Sequence, residues 1–268
     1  MLLAALCALY VTPVLGNKAN ETPTTKRVAV YIPHRSSFGN YSYIMTEALQ
    51  RQGYNAPEFY VDWCDGDDST GCCRMETFKA LLLSGANLWY CGHGHARGLQ
   101  VEVYSTKARA EDRLRELMEA RAPDGKALWP ERWVRYKIHN WESSLGHPFQ
   151  VYGISVTSEA ITDWSAEGYQ RQIVYQATCD SFERTDTWSA GLAVGFRGVT
   201  NGRDNWNRVA MELFGYMSPV GSSRTDLRCS GDALRSIDLA KYRCTIGGRF
   251  FENMVLAPTV RSVKTDVR

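Results

Sequence analysis

The sequence predicts an α/β protein built on a mostly parallel sheet with helices on both faces. Three observations lead there. Short apolar runs recur, at Val28–Pro33, Asn87–Cys91 and Arg171–Gln176. Segments with helical spacing fall between the early runs, which is the rhythm of strand–helix–strand units. Two of the runs lead straight into reactive side chains: Gly92-His93-Gly94-His95 after one, Ala177-Thr178-Cys179 after the other. In parallel sheets of this kind, chemistry sits beyond the carboxyl ends of the strands.

Taken in order, Val28–Pro33 is an expected first strand, stopped by its proline. Tyr43–Gln52 has helical spacing through Ile44, Ala48 and Leu49 and ends at Gly53, a suitable cap. Phe59–Asp62 is an expected second strand and Arg74–Leu83 a helix closed by Ser84-Gly85. Asn87–Cys91, a short apolar run bounded by turns, is an expected buried strand. Lys107–Arg121 has the pattern of a charged amphipathic helix, Pro123–Trp141 is an irregular stretch rich in Trp and Arg, and Val151–Val156 is an expected strand. After the strand Arg171–Gln176, Thr187–Val194 is expected to be helical and Phe196–Thr200 a strand. Arg203–Met217 and Gly231–Ala240 are expected helices, and Phe250–Leu256 a closing strand. No internal repeat is visible.

The ends and the composition narrow the setting. Met1–Gly16 carries no charged side chain and is too short to span a bilayer of about 30 Å as a helix. It is expected to be a cleaved secretory signal, although no Lys or Arg follows Met1. Residues 17–26 form a polar, Thr-rich arm, and residues 27–268 are expected to make one α/β domain. No later stretch is expected to insert stably in a membrane. With 31 basic against 29 acidic residues the net charge is +2, too balanced for a nucleic-acid partner. Cys7 leaves with the signal. Cys64, Cys72, Cys73, Cys91, Cys179, Cys229 and Cys244 remain, an odd count that leaves at least one thiol unpaired within the chain in an oxidising compartment. Counting alone allows Cys229 with Cys244, Cys64 with Cys72 or Cys73, and the other of those two with Cys91, leaving Cys179 over.

The blocks Leu88-Trp89-Tyr90-Cys91-Gly92-His93-Gly94 and Ile173-Val174-Tyr175-Gln176-Ala177-Thr178-Cys179 together carry a resemblance. An apolar strand ending in His-Gly, followed by one ending in Ala-x-Cys, resembles the signature of the caspase–legumain–gingipain group of cysteine peptidases (clan CD). Cys179-Asp180-Ser181 is similar to the Cys-Glu-Ser of legumain-like members. The resemblance covers roughly Arg27 to Thr200 in order of elements and these two blocks in residues. It implies a caspase-hemoglobinase-like three-layer sandwich with His93 and Cys179 at neighbouring strand ends. It implies that Cys179 is the nucleophile, His93 the general base or proton donor, and the backbone N–H groups of Gly94 and Cys179 the oxyanion hole. Two departures accompany it. The interval from His93 to Cys179 is longer than is typical, which makes about 104–164 an insertion near the site. The glycine that often follows the nucleophile is replaced by Asp180.

Other readings of the same residues compete. His95 rivals His93, but the pattern wants His followed by Gly. Cys91, His93 and His95 are a candidate zinc cluster, with a spacing that matches no standard structural site. Asp65–Ser69 looks like the start of a calcium loop, with Glu76 at the twelfth position, but Thr70 replaces the required glycine. Arg35, after the first strand, is a candidate for substrate binding, as are Asp180 and Asp186 with the opposite charge preference. His34, His139 and His147 carry no motif. Trp129, Trp133, Trp141 and Trp164 are either a groove lining or the core of a subdomain. The resulting expectation is a secreted cysteine endopeptidase acting on protein or peptide substrates without a cofactor or a metal. Its alternatives are an inactive caspase-like fold used as a binding module and a metal-dependent hydrolase.

Overall fold

The computed structural model describes residues 25–34, 41–61, 73–142, 148–181, 187–188, 190–196, 207–217, 243–246 and 249–252. Five strands make the central sheet: β1 (Val28–Ile32), β2 (Glu58–Val61), β3 (Asn87–Cys91), β8 (Arg171–Ala177) and β9 (Ala190–Val194). Their order is β2-β1-β3-β8-β9, and every neighbouring pair is parallel. The chain steps from β1 outward to β2 and then returns to the far side of β1 with β3, so the winding direction reverses between β1 and β3. Crevices outside the carboxyl ends of strands at such a reversal are the usual ligand sites of open parallel sheets.

The continuous apolar character of β1 and β3 follows from this placement. All residues of both strands are buried, because the sheet is covered on both faces. Strand alternation divides their side chains between two cores. Val30, Ile32, Trp89, Ile173 and Tyr175 pack with α1 (Tyr43–Arg51) and α5 (Asn207–Met217) through Met45, Leu49, Val209, Leu213 and Phe214. Trp89 stacks on Tyr175 with ring centroids 4.5 Å apart and planes 9° from parallel. Truncating either ring to Ala would cost about 3–5 kcal/mol. Ala29, Tyr31, Leu88, Tyr90 and Val174 face the other way, toward α2 (Met75–Leu83) and α4 (Ser158–Glu167), where they meet Phe78, Leu82, Ile161 and Trp164. The result is a mixed α/β structure with a parallel sheet between two packed layers.

The second layer includes another sheet. β4 (Gly94–His95), β5 (Gly98–Tyr104), β6 (Val134–Glu142) and β7 (Pro148–Thr157) pair antiparallel in the order β4-β5-β7-β6. Leu99, Val101, Ile154 and Val156 belong to the same core as Phe78 and Tyr90. α3 (Lys107–Glu119) lies between β5 and β6 in the chain, its start capped by the Thr106 hydroxyl accepting from Arg109 N–H at 3.4 Å. Buried polar contacts tie the sheets together. Tyr31 Oη lies 3.0 Å from Arg74 O and 3.1 Å from Val101 O. Glu102, wholly buried, accepts from Met75 N–H at 2.6 Å and so caps α2. Arg113 pairs with Glu102 at 3.2 Å and with Glu76 at 2.6 Å, which keeps that buried carboxylate paired.

Several expectations change. The segment expected to be helical at Thr187–Val194 contains strand β9, hydrogen-bonded along β8. A five-residue run is too short for periodicity to separate helix from strand, and the open edge of β8 decides it. The stretch Pro123–Trp141, expected to be irregular, ends in the long strand β6 after a single 3-10 turn at Glu131–Trp133. Phe196 lies past the end of β9. β10 (Arg243–Ile246) pairs antiparallel with β11 (Arg249–Glu252), which overlaps the expected closing strand. The signal, the acidic loop Asp65–Ser69, Arg35, Asp186, His147 and the expected helix Gly231–Ala240 lie outside the described residues, as do Cys64, Cys72 and Cys229.

Candidate functional site

The sheet register brings the two sequence blocks together. β3 pairs with β8 so that Cys91 stands opposite Ala177, and Gly92 N–H reaches Ala177 O at 3.4 Å. His93 and Cys179 therefore each stand two residues past a matched pair on adjacent parallel strands. Counted along the strands, His93 is in phase with Trp89 and Cys91, and Cys179 with Tyr175 and Ala177. Those four strand residues belong to the core packed by α1 and α5.

The backbone of His93 is held from below. Its carbonyl accepts from Tyr90 Oη at 2.8 Å and from Gln100 N–H at 3.0 Å, and Tyr90 Oη also lies 2.7 Å from Gln100 O. Gly92 is required for this arrangement, because a Cβ there would stand 2.8 Å from Tyr90 Oη and 3.2 Å from Pro33. His93 is half-buried, with its Nε2 atom covered. Gly94 follows as the first residue of β4, opposite Leu99. His95 serves the local backbone, since its Nδ1 accepts from Arg97 N–H at 3.1 Å and closes the β4–β5 turn. That separates the two histidines on physical grounds.

Cys179 sits half-buried on a tight turn after β8. Thr178 N–H bonds back to Gln176 O at 2.9 Å. Ser181, wholly buried, clamps the turn. Its Oγ lies 2.8 Å from Thr178 O and 3.1 Å from Gln176 O, and it accepts from Phe196 N–H at 2.8 Å. Asp180 has φ +48°, the one positive φ outside glycine among the described residues. A glycine enters that conformation without steric cost, and Asp tolerates it better than most. The residue after Cys179 thus takes the backbone conformation a glycine favours, and the turn fixes the place of Asp180 beside Cys179.

The remaining cysteines differ in character. Cys91 is buried, and burial pushes its thiol well above the ordinary range, so it stays protonated. Cys73 carries a thiol that donates to Tyr60 O at 3.2 Å. Neither Cys73 nor Cys91 is in a disulfide, so the Cys73–Cys91 pairing, one of those that counting allows, is not formed; Cys72 lies outside the described residues.

One residue at this edge carries no sequence motif. Tyr31 of β1 pairs with Tyr90 of β3, so His34 and His93 each lie three residues past a matched pair. His34 is wholly buried. His34, His93 and Cys179 therefore follow three consecutive strands, β1, β3 and β8, on one edge of the sheet. The signal in sequence was a histidine directly after the apolar run ending at Pro33, and it has meaning only once the register is known.

Other candidates do not join the site. Among the described residues no three His, Cys, Asp or Glu side chains gather as a metal site, Cys91, His93 and His95 included. Glu76 is engaged by Arg113. Trp129 and Trp164 are buried in the core and Trp133 packs against it. They pack edge to face, at 5.9 and 5.4 Å, around the Lys79 ammonium, which lies 5.1–5.5 Å from all three rings. No helix among the described residues is long and apolar enough to cross a membrane. Compared with family models, curated proteins and solved structures, the chain matches none.

Proposed function

We propose that the chain is a caspase-like cysteine endopeptidase acting on protein or peptide substrates through His93 and Cys179. The observation that carries the reading is their register-matched placement beyond two adjacent parallel strands, with Cys179 on a clamped turn. In this reading His93 takes the Cys179 proton, and the thiolate attacks the scissile carbonyl carbon. The imidazolium then protonates the departing amine, leaving a thioester that water hydrolyses with His93 again acting as base. Backbone N–H groups at Gly94 and Cys179 would face the developing oxyanion, and each such donor lowers the barrier by about 3–4 kcal/mol. The caspase-hemoglobinase character of the sheet, a secretory signal and an extracellular site of action belong to the same proposal.

The test combines thiol alkylation with peptide cleavage. Folded protein is expected to be alkylated at Cys179 faster than a simple thiol. His93→Ala slows the labelling toward the rate of a simple thiol, and Cys179→Ala abolishes both labelling and cleavage. Full peptidase activity in Cys179→Ala would sink the proposal. Cys179 reacting no faster than a simple thiol, with no cleavage, would assign the chain to the inactive binding-module alternative.

A further inference from the structure

The opposite edge of the central sheet holds a second polar cluster. Arg171 opens β8, at the end away from Cys179, and is wholly buried. Its Nη2 donates to Leu82 O at 2.5 Å, near the C-terminal end of α2. Its Nε and Nη1 atoms are buried and make no hydrogen bond among the described residues. The guanidinium carbon lies 5.9 Å from the ring centre of Trp188, whose own buried Nε1–H is also unpaired there. Burial pulls the guanidinium down to about 9, and it remains protonated at neutral pH.

Every unpaired group in this cluster is a donor. Guanidinium and indole N–H groups have no acceptor capacity. A water molecule would satisfy some of them but would bring two protons of its own. The neighbouring acceptor, Leu82 O, is already engaged by Nη2. An acceptor-only occupant meets the need, and complete burial limits it to a small one. A buried cation without a partner is otherwise strongly unfavourable.

We propose that Arg171 Nε and Nη1 with Trp188 Nε1 form a binding site for a small monovalent anion of chloride size. The ion would join the start of β8, the end of α2 and the Trp188 segment, and so act on stability rather than on the Cys179 edge. The test is equilibrium unfolding of the full chain in sodium chloride against sodium gluconate at matched ionic strength. Chloride is expected to raise the midpoint. Once the site fills, each tenfold rise in chloride should raise the folded-to-unfolded ratio about tenfold. Trp188→Phe keeps a ring but removes one donor, and should raise the chloride concentration for half effect about tenfold. Arg171→Met should abolish the response, and Trp188→Phe carries the test if Arg171→Met does not fold. Coincident curves in chloride and gluconate for the wild type, or an unchanged chloride response in Trp188→Phe, would overturn the proposal.

Discussion

Replacing Ser181 by Ala removes one hydroxyl that closes the Cys179 turn on three sides. The structure sets the size of the effect. Phe196 N–H donates to Ser181 Oγ at 2.8 Å, and both residues are wholly buried, so the substitution orphans a buried donor at a cost of about 1–3 kcal/mol. The hydroxyl's own contact with Thr178 O at 2.8 Å is a neutral hydrogen bond of about 1 kcal/mol. Loss of both predicts roughly 3 kcal/mol of destabilisation. Urea unfolding reads it as a lower midpoint at an unchanged slope. The same variant should weaken control of Cys179, so its alkylation should lose site selectivity under native conditions. A loss below about 0.5 kcal/mol, the scale of an ordinary surface change, would refute the claim that Ser181 holds the turn.

Two further outcomes rest on the backbone of Asp180 and on one ion pair. Asp180 has φ +48°, so Asp180→Gly should be nearly neutral, whereas Asp180→Val should cost at least about 1 kcal/mol more; thermal melts of the pair decide it. Arg27 donates to Glu58 at 2.7 and 2.8 Å and holds its carboxyl below the usual value of 4.5. The unfolded chain therefore binds the proton first as pH falls, so this stabilisation is complete above about 4.5 and lost as pH drops through the lower folded value. Because both side chains are more than a third exposed, solvent screens the pair. Glu58→Gln should flatten only a small part of the acid limb in a stability-versus-pH series.

The parts of the fold legible in sequence are those buried on two sides. β1, β3 and β8 announce themselves as short apolar runs because a covered parallel sheet demands apolar side chains on both faces. β6 has one such face at most. Its Val134, Tyr136 and Ile138 alternate with Arg135 and Lys137, a period of two that marks a half-buried strand and is legible in the sequence too. The β9 segment reads as helical because its length fits either periodicity, and what selects a strand is the vacant edge of β8, a tertiary fact. His93 and Cys179 are legible because each lies two residues past the end of an apolar strand. His34 is not, because its place at the same end of the sheet as His93 depends on the pairing of Tyr31 with Tyr90. Asp180 looks like a departure from the resemblance, since residue type does not display a backbone angle.

The long interval between His93 and Cys179 acquires a physical role from its contacts. A detachable lobe would have its own core and few bonds to the central sheet. Here β5 and β7 share the core of Phe78, Leu82 and Tyr90. Val101 O and Gln100 O lie 3.1 and 2.7 Å from the hydroxyls of Tyr31 and Tyr90, which rise from the central sheet itself. Glu102 supplies the cap of α2, and Arg113 of α3 keeps that carboxylate paired. Each buried hydroxyl left without its carbonyl would cost about 1–3 kcal/mol, and the stranded Met75 N–H as much again. Because Tyr90 and Gln100 also grip the His93 carbonyl, the second sheet sets where His93 stands. β5, which follows His93 in the chain, is therefore a brace for one half of the proposed dyad, and β7 holds β5 in place through its own antiparallel pairing.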